Sequence, residues 1–264
     1  MSDSKIPKVD SSTAAKAGRK AKSKANKAVR NPNQKSHGFL WALIALLVIA
    51  AVVIGYIVMN GQNAKTDKVA DRPQTDVHFN VTYKDQAIEL RSPKATDKTP
   101  VVDLYEDFAC PHCGEMARAT DGDMAKAIED GKLVVNIRTL VFLDQDNKDG
   151  HSHHAGSAAQ AVAKSGNAKT FWNYRAMMLE DQEKIYNKWS DADFAQAAKH
   201  LGADDDTAKT IKDGANQEDF NKDTQANYER LEKAVGQVST PLVIQNGKEV
   251  QLENWIENVT KGQK

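Results

Sequence analysis

Only two of the 264 residues are cysteine, which excludes a small disulfide-stapled scaffold, a class that needs several bridges to replace a core. No NAD, FAD or metal motif is present, so no bound cofactor is implied, and no segment repeats. Net charge is missing as well, with 36 basic and 36 acidic residues. That balance conceals an uneven distribution. Residues 1–38 carry ten Lys or Arg against Asp3 and Asp10, a local charge of +8, so the remaining 26 basic and 34 acidic residues give −8. An acidic main body argues against a nucleic-acid-binding enzyme. The 40% hydrophobic content excludes a disordered acidic chain.

What is there begins with an uncharged run from Phe39 to Met59, FLWALIALLVIAAVVIGYIVM. As a helix these 21 residues are about 31 Å long, the thickness of a bilayer's hydrocarbon layer. Trp41 and Tyr56 fall near its ends, where amphipathic rings favour the interface. The run exceeds the apolar part of a signal peptide, and 59–64 offers no convincing cleavage site, so an uncleaved anchor is expected. Eight basic residues from Lys16 to Lys35 precede the span, whereas Lys65, Asp67, Lys68, Asp71 and Arg72 after it nearly balance. Positive flanks stay cytoplasmic, which puts the N-terminus inside and the rest outside a single-pass cell-membrane protein. The basic tail, 1–38, is expected to be disordered and to set this topology.

Residues 60–76 are polar and read as a linker. Strands are expected at 77–83 and 87–90 as a hairpin, at 101–105, and at 132–143. A helix is expected from Pro111 to about Glu129. From 152 to 235 the pattern is helical throughout, with capping residues at Ser190 and Asp204. Strand character returns at 241–245, Asn246-Gly247 is a hairpin turn signal, and a last helix covers 253–259. Phe171, Trp172, Tyr174, Met177 and Met178 have the spacing of a helix's core face rather than a substrate groove. Asn80-Val81-Thr82 and Asn258-Val259-Thr260 match the glycosylation tripeptide, a pattern common by chance.

Both cysteines lie in one motif, Cys110-Pro111-His112-Cys113, between an expected strand and an expected helix. A sulfur at a helix N-terminus meets unpaired amides and the positive end of the helix dipole, which favour thiolate over thiol. Pro111 suits the first helical position, where its missing N–H is not needed. His112 can add charge or a hydrogen bond, and such effects bring cysteine pKa values into a range of about 3.5–7.5. A stabilised thiolate is a good leaving group, so the disulfide form is a strong oxidant. Cys113, one turn on, is expected to be buried and to close the bond with Cys110. A purely structural clip would gain little by closing so short a loop. Half a zinc site is the other reading, with His151, His153 and His154 supplying the remainder.

The segment VVDLYEDFACPHC (101–113), the helical block and Ser239-Thr240-Pro241-Leu242 resemble the DsbA type of thioredoxin-fold oxidoreductase over 77–264. The resemblance implies an α/β class: a thioredoxin-like fold with an inserted helical domain at about 152–235, here preceded by a single transmembrane helix. It also implies a cis Pro241 beside the disulfide, with Thr240 offering its backbone to an extended substrate. Two departures stand out. The carboxylate that many members keep six residues before the first cysteine is Leu104 here, with Glu106 and Asp107 nearer, and Thr240 replaces the valine of some strongly oxidising relatives.

The expected reaction is donation of the Cys110–Cys113 disulfide to exported, unfolded polypeptides bearing free thiols. A quinone-linked membrane partner is implied for reoxidation. Rival expectations are a reductase or isomerase using the same residues, a membrane-tethered metal-binding module built on Cys110, Cys113 and the three histidines, and a binding scaffold.

Overall fold

A computed structural model describes residues 37–261. The charge-based reading of the tail falls almost wholly on 1–36, outside the described residues. Helix α1 (His37–Ala70) opens the description, and its segment Gly38–Val58 is long and apolar enough to cross a membrane. The helix does not stop where the apolar run ends. Its last turns cover residues expected to be a linker, and Thr66, Val69 and Ala70 are buried. Their i, i+3, i+4 spacing is the narrowest form of an amphipathic stripe, easily hidden in a polar stretch. Lys65 reaches the Asp193 carboxylate at 2.7 Å and the Lys188 carbonyl, and Arg72 pairs with Glu180 and Asp181. Residues 65–72 thus form part of the folded domain.

Six strands among the described residues form one sheet in the order β1-β2-β4-β3-β5-β6. Strands β1 (Asn80–Lys84) and β2 (Ala87–Arg91) make a hairpin through Asp85 and Gln86, both at positive φ as a two-residue turn requires. β3 (Val101–Glu106), α2 (Pro111–Glu129) and β4 (Val134–Thr139) form a βαβ unit, with β3 and β4 parallel from Val101↔Val134 to Glu106↔Thr139. β4 is shorter than its sequence suggests. Pairing ends at Thr139 because β3 leaves the sheet at Asp107, and the chain goes into a short 3-10 turn, Phe142–Asp144.

Six helices then precede the next strand: α3 (His151–Lys164), α4 (Ala168–Glu180), α5 (Gln182–Ile185), α6 (Asp191–His200), α7 (Asp205–Lys212) and α8 (Gln217–Val235). Ser190 and Asp193 form a reciprocal capping box, and Asp204 accepts from the Thr207 amide. Phe171, Trp172, Tyr174, Met177 and Met178 of α4 are all buried core. β5 (Leu242–Gln245) and β6 (Lys248–Val250) join through Asn246 and Gly247, both at positive φ, and β5 lies antiparallel to β3. Helix α9 (Trp255–Thr260) follows. This is a thioredoxin-like α/β fold, and the two cysteines follow the carboxyl end of the central strand β3, at the start of α2.

Candidate functional site

Cys110 is the N-cap of α2 and Pro111 its first residue. Asp107 fixes the approach, since its carbonyl accepts from the Cys110 amide at 2.9 Å and its Oδ1 from the Ala109 amide at 2.9 Å. The Cys110 carbonyl starts the helix by accepting from Cys113 N at 3.1 Å and Gly114 N at 3.4 Å. The Cys110 thiol donates to the Thr240 carbonyl at 3.3 Å, and the Thr240–Pro241 peptide is cis, as the resemblance implies. Both cysteines are free thiols.

The two sulfurs are in unlike electrostatic surroundings. A hydrogen bond from the Cys113 thiol, opposed by burial and helped by the Thr240 side chain and the amides of Cys113 and His112, lowers the Cys110 thiol to about 5. Burial pushes the Cys113 thiol far above its ordinary value, and the Cys110 thiolate adds to the effect. His112 is exposed, pairs with Glu115 at 2.9 Å, and has its pKa raised chiefly by that bond.

Alkylation of the reduced protein should therefore report on Cys110 alone. Its folded pKa lies below the unfolded one, so the stability the thiolate confers is complete above the unfolded value and is lost as pH falls through the folded value of about 5, where the thiolate itself takes up a proton. The iodoacetamide rate is expected to be near its plateau at pH 7, with a midpoint close to 5 and Cys113 unmodified.

Beneath the sulfurs lie charges whose arrangement sequence reading leaves open. Glu106 and Asp107 are both buried, whereas Leu104 is core in β3. Asp107 Oδ1 accepts from the Ser152 hydroxyl at 2.6 Å and Oδ2 from the Leu143 amide at 3.3 Å. It ties α3 and the 3-10 turn to the cysteine loop. Burial lifts its carboxyl to about 6 against those hydrogen bonds. Glu106 receives a fork from Arg175, with Nε–Oε1 at 2.9 Å and Nη2–Oε2 at 2.8 Å. Arg175 Nη1 also donates to Asp121 at 2.7 Å, so one guanidinium on α4 joins the end of β3 to α2. Burial raises Asp121 to about 6 against the pull of Arg175.

The insert meets the cysteine helix at a second point. A Cβ on Gly114 would lie 2.3 Å from the Leu179 carbonyl oxygen, so only glycine allows this approach. Arg118 donates to the Glu180 carbonyl at 3.1 Å, and Gln182 donates to the Phe108 and Cys110 carbonyls at 3.0 and 2.9 Å. Nothing in the sequence marks Arg175 or Gln182.

The three histidines, in the first turn of α3, are engaged elsewhere. His151 packs edge-on to Tyr186 with ring centroids 5.1 Å apart, and burial lowers it to about 4. His153 pairs with Asp144 at 2.8 Å, and His154 with Asp191 and Asp149 at 2.6 and 2.8 Å. Among the described residues no group of three or more His, Cys, Asp and Glu is arranged to hold a metal ion.

A reactive dithiol at a helix N-terminus, a cis proline against its first sulfur and a thioredoxin-like sheet define a thiol-disulfide oxidoreductase of DsbA type. The chain belongs to the thioredoxin family, whose model matches residues 94–261. It is similar to the MdbA thiol-disulfide oxidoreductase of Corynebacterium diphtheriae at 48% identity, covering 74% of this chain and 100% of that one, with a TM-score of 0.72. The MdbA protein of Corynebacterium matruchotii is similar at 42% identity, over 74% of this chain and 98% of that one, with a TM-score of 0.71. DsbA of Mycobacterium tuberculosis shares the fold at 23% identity, over 66% of this chain and 92% of that one, with a TM-score of 0.53. Serine/threonine-protein kinase PknE of the same organism is 29% identical over 119 residues, 43% of this chain. The chain spans 21% of that kinase's length.

Proposed function

We propose that the protein is an extracytoplasmic oxidase that introduces disulfides into exported polypeptides. The observation that carries this reading is the contrast between the two sulfurs, Cys110 held as thiolate and Cys113 held as thiol. A stabilised Cys110 thiolate favours the reduced enzyme and so makes the disulfide form oxidising.

In the cycle, a substrate thiolate attacks Cys110 Sγ of the enzyme disulfide. A mixed disulfide forms, and Cys113 leaves as a thiolate that its buried site drives to take up a proton. A second substrate thiolate then attacks the substrate sulfur of the mixed bond, and Cys110 leaves as a stable thiolate. The substrate has lost two electrons and the enzyme has gained them. Thr240, whose carbonyl lies against Cys110, and Pro241 form the surface on which an extended substrate backbone is laid. Return to the disulfide requires an oxidant, assigned here to a quinone-linked membrane partner.

The span Gly38–Val58 supports attachment to the membrane, and the basic residues before it support an outside location for the cysteines. Tethering would hold the enzyme near emerging chains and near a membrane partner.

The test is the equilibrium of the full-length protein with reduced and oxidised glutathione. An oxidase gives a potential well above that of thioredoxin, about −270 mV. A value at or below it assigns the protein to the reductases.

A further inference from the structure

Gln182 lies in α5, 72 residues beyond Cys110, and the cycle above makes no use of it. Its side-chain nitrogen donates to the Phe108 carbonyl at 3.0 Å and to the Cys110 carbonyl at 2.9 Å. An amide NH2 has two hydrogens, so this one group is fully spent on two carbonyls of the cysteine loop. The Cys110 oxygen is also the acceptor that opens α2, taking the amides of Cys113 and Gly114. The hydrogen bond therefore falls on the peptide group that decides where the first turn of the helix points.

We propose that Gln182 is a positioning residue for the thiol-disulfide reaction, clamping the Phe108 and Cys110 carbonyls so that the first amides of α2 stay aimed at the Cys110 sulfur. The inference rests on the redox reading of the dithiol and adds to it a contribution from the helical insert. The Cys110 carbonyl dipole has its negative end held on a donor and away from the sulfur. Without Gln182 the Phe108 oxygen must turn to water or remain unpaired, the Cys110 oxygen keeps only the amides of Cys113 and Gly114, and the 108–110 segment is held by Asp107 alone. The His112 and Cys113 amides then lose their alignment with the sulfur. The clamp does not act alone at this corner. The Leu179 carbonyl abuts Gly114 and the Glu180 carbonyl takes Arg118, so the end of α4 is fixed on α2 and delivers Gln182 to the loop.

The experiment uses the full-length chain in detergent, as wild type, Gln182→Met and Gln182→Glu. Met keeps the length of the side chain without its donors. Glu places acceptors against the two carbonyls. Each variant is assayed for thiolate formation by alkylation against pH, for its glutathione equilibrium, and for thermal unfolding of the oxidised form. For Gln182→Met the alkylation midpoint is expected to move upward by about half a pH unit or more, the scale of one hydrogen bond to the reacting loop. The glutathione equilibrium should then move about threefold or more toward the disulfide. Gln182→Glu should move both further in the same direction. If Gln182→Met does not fold, Gln182→Asn, which withdraws the amide by one methylene, is measured in its place with the same expectation. A folded variant that melts earlier yet keeps the wild-type midpoint and equilibrium would overturn the proposal and leave Gln182 a packing residue. A wild-type midpoint no lower than that of free cysteine would instead overturn the redox reading itself.

Discussion

Cys110→Ser is expected to leave no thiol-disulfide exchange above the uncatalysed background, whereas Cys113→Ser is expected to stop the cycle halfway and retain the substrate. The two outcomes differ because the sulfurs do. Cys110 caps the helix, is ionised at neutral pH and touches Thr240, so it is the atom that an incoming thiolate attacks. A serine hydroxyl there neither forms a bond to sulfur nor leaves as a stable anion. Cys113 is buried and held protonated; it supplies the second sulfur of the enzyme disulfide, and from inside it can reopen a mixed bond whose substrate has not closed a disulfide of its own. With serine in its place, a complex linked through Cys110 should accumulate and run as a larger band on a non-reducing gel, disappearing on addition of dithiothreitol. If Cys110→Ser retains wild-type turnover on a reduced, unfolded test protein, the dithiol is not the engine of the reaction. If Cys113→Ser turns over normally, the internal disulfide is not part of the reaction.

Arg175→Leu is expected to give the largest loss of stability in the molecule. Arg175 is nearly inaccessible and is the partner of both Glu106 and Asp121, each buried too. Removing it leaves two carboxylates facing each other in a medium that solvates neither, and breaking such a buried arrangement typically costs about 3–5 kcal/mol. For a domain of this size the melting temperature should fall by roughly 6–20 °C. The pH dependence identifies the cause. Burial already raises the Asp121 carboxyl against the pull of Arg175, so without the guanidinium its folded pKa stands further above the unfolded one, and the stability tied to its protonation is present at acid pH and lost as pH rises through the folded value. The deficit relative to wild type should therefore be smaller near pH 5 than at pH 7. Glu106→Gln added to Arg175→Leu should recover part of the loss, because it removes one of the stranded charges. Equal deficits at both pH values would mean that Arg175 acts through packing alone.

The parts of this protein that were legible in its sequence share a physical basis. The apolar run, the Asn246-Gly247 turn, the Ser190 and Asp204 caps and the Pro111 helix start each express a preference settled within a few residues. The Cys110–Cys113 motif belongs with them, since a helix N-terminus and its amides are local. Residues 65–72 misled for the complementary reason. They are polar, and what holds them is burial of Thr66, Val69 and Ala70 together with ion pairs to Asp193 and Glu180, more than a hundred residues away. Glu106 and Asp107 were visible as acids near the motif, but their partners were not.

The chemistry this chain carries is written locally along it: a dithiol placed to ionise, and a 21-residue apolar run from Phe39 to Met59. The surroundings of that dithiol come from long-range packing. Thr240 meets Cys110 across 130 positions, Arg175 meets Glu106 across 69, and Gln182 meets Cys110 across 72. Side chains at such separations meet only when the sheet and the insert close on one another. Hydrogen bonds and buried charges act over a few ångströms, so no local pattern encodes their partners.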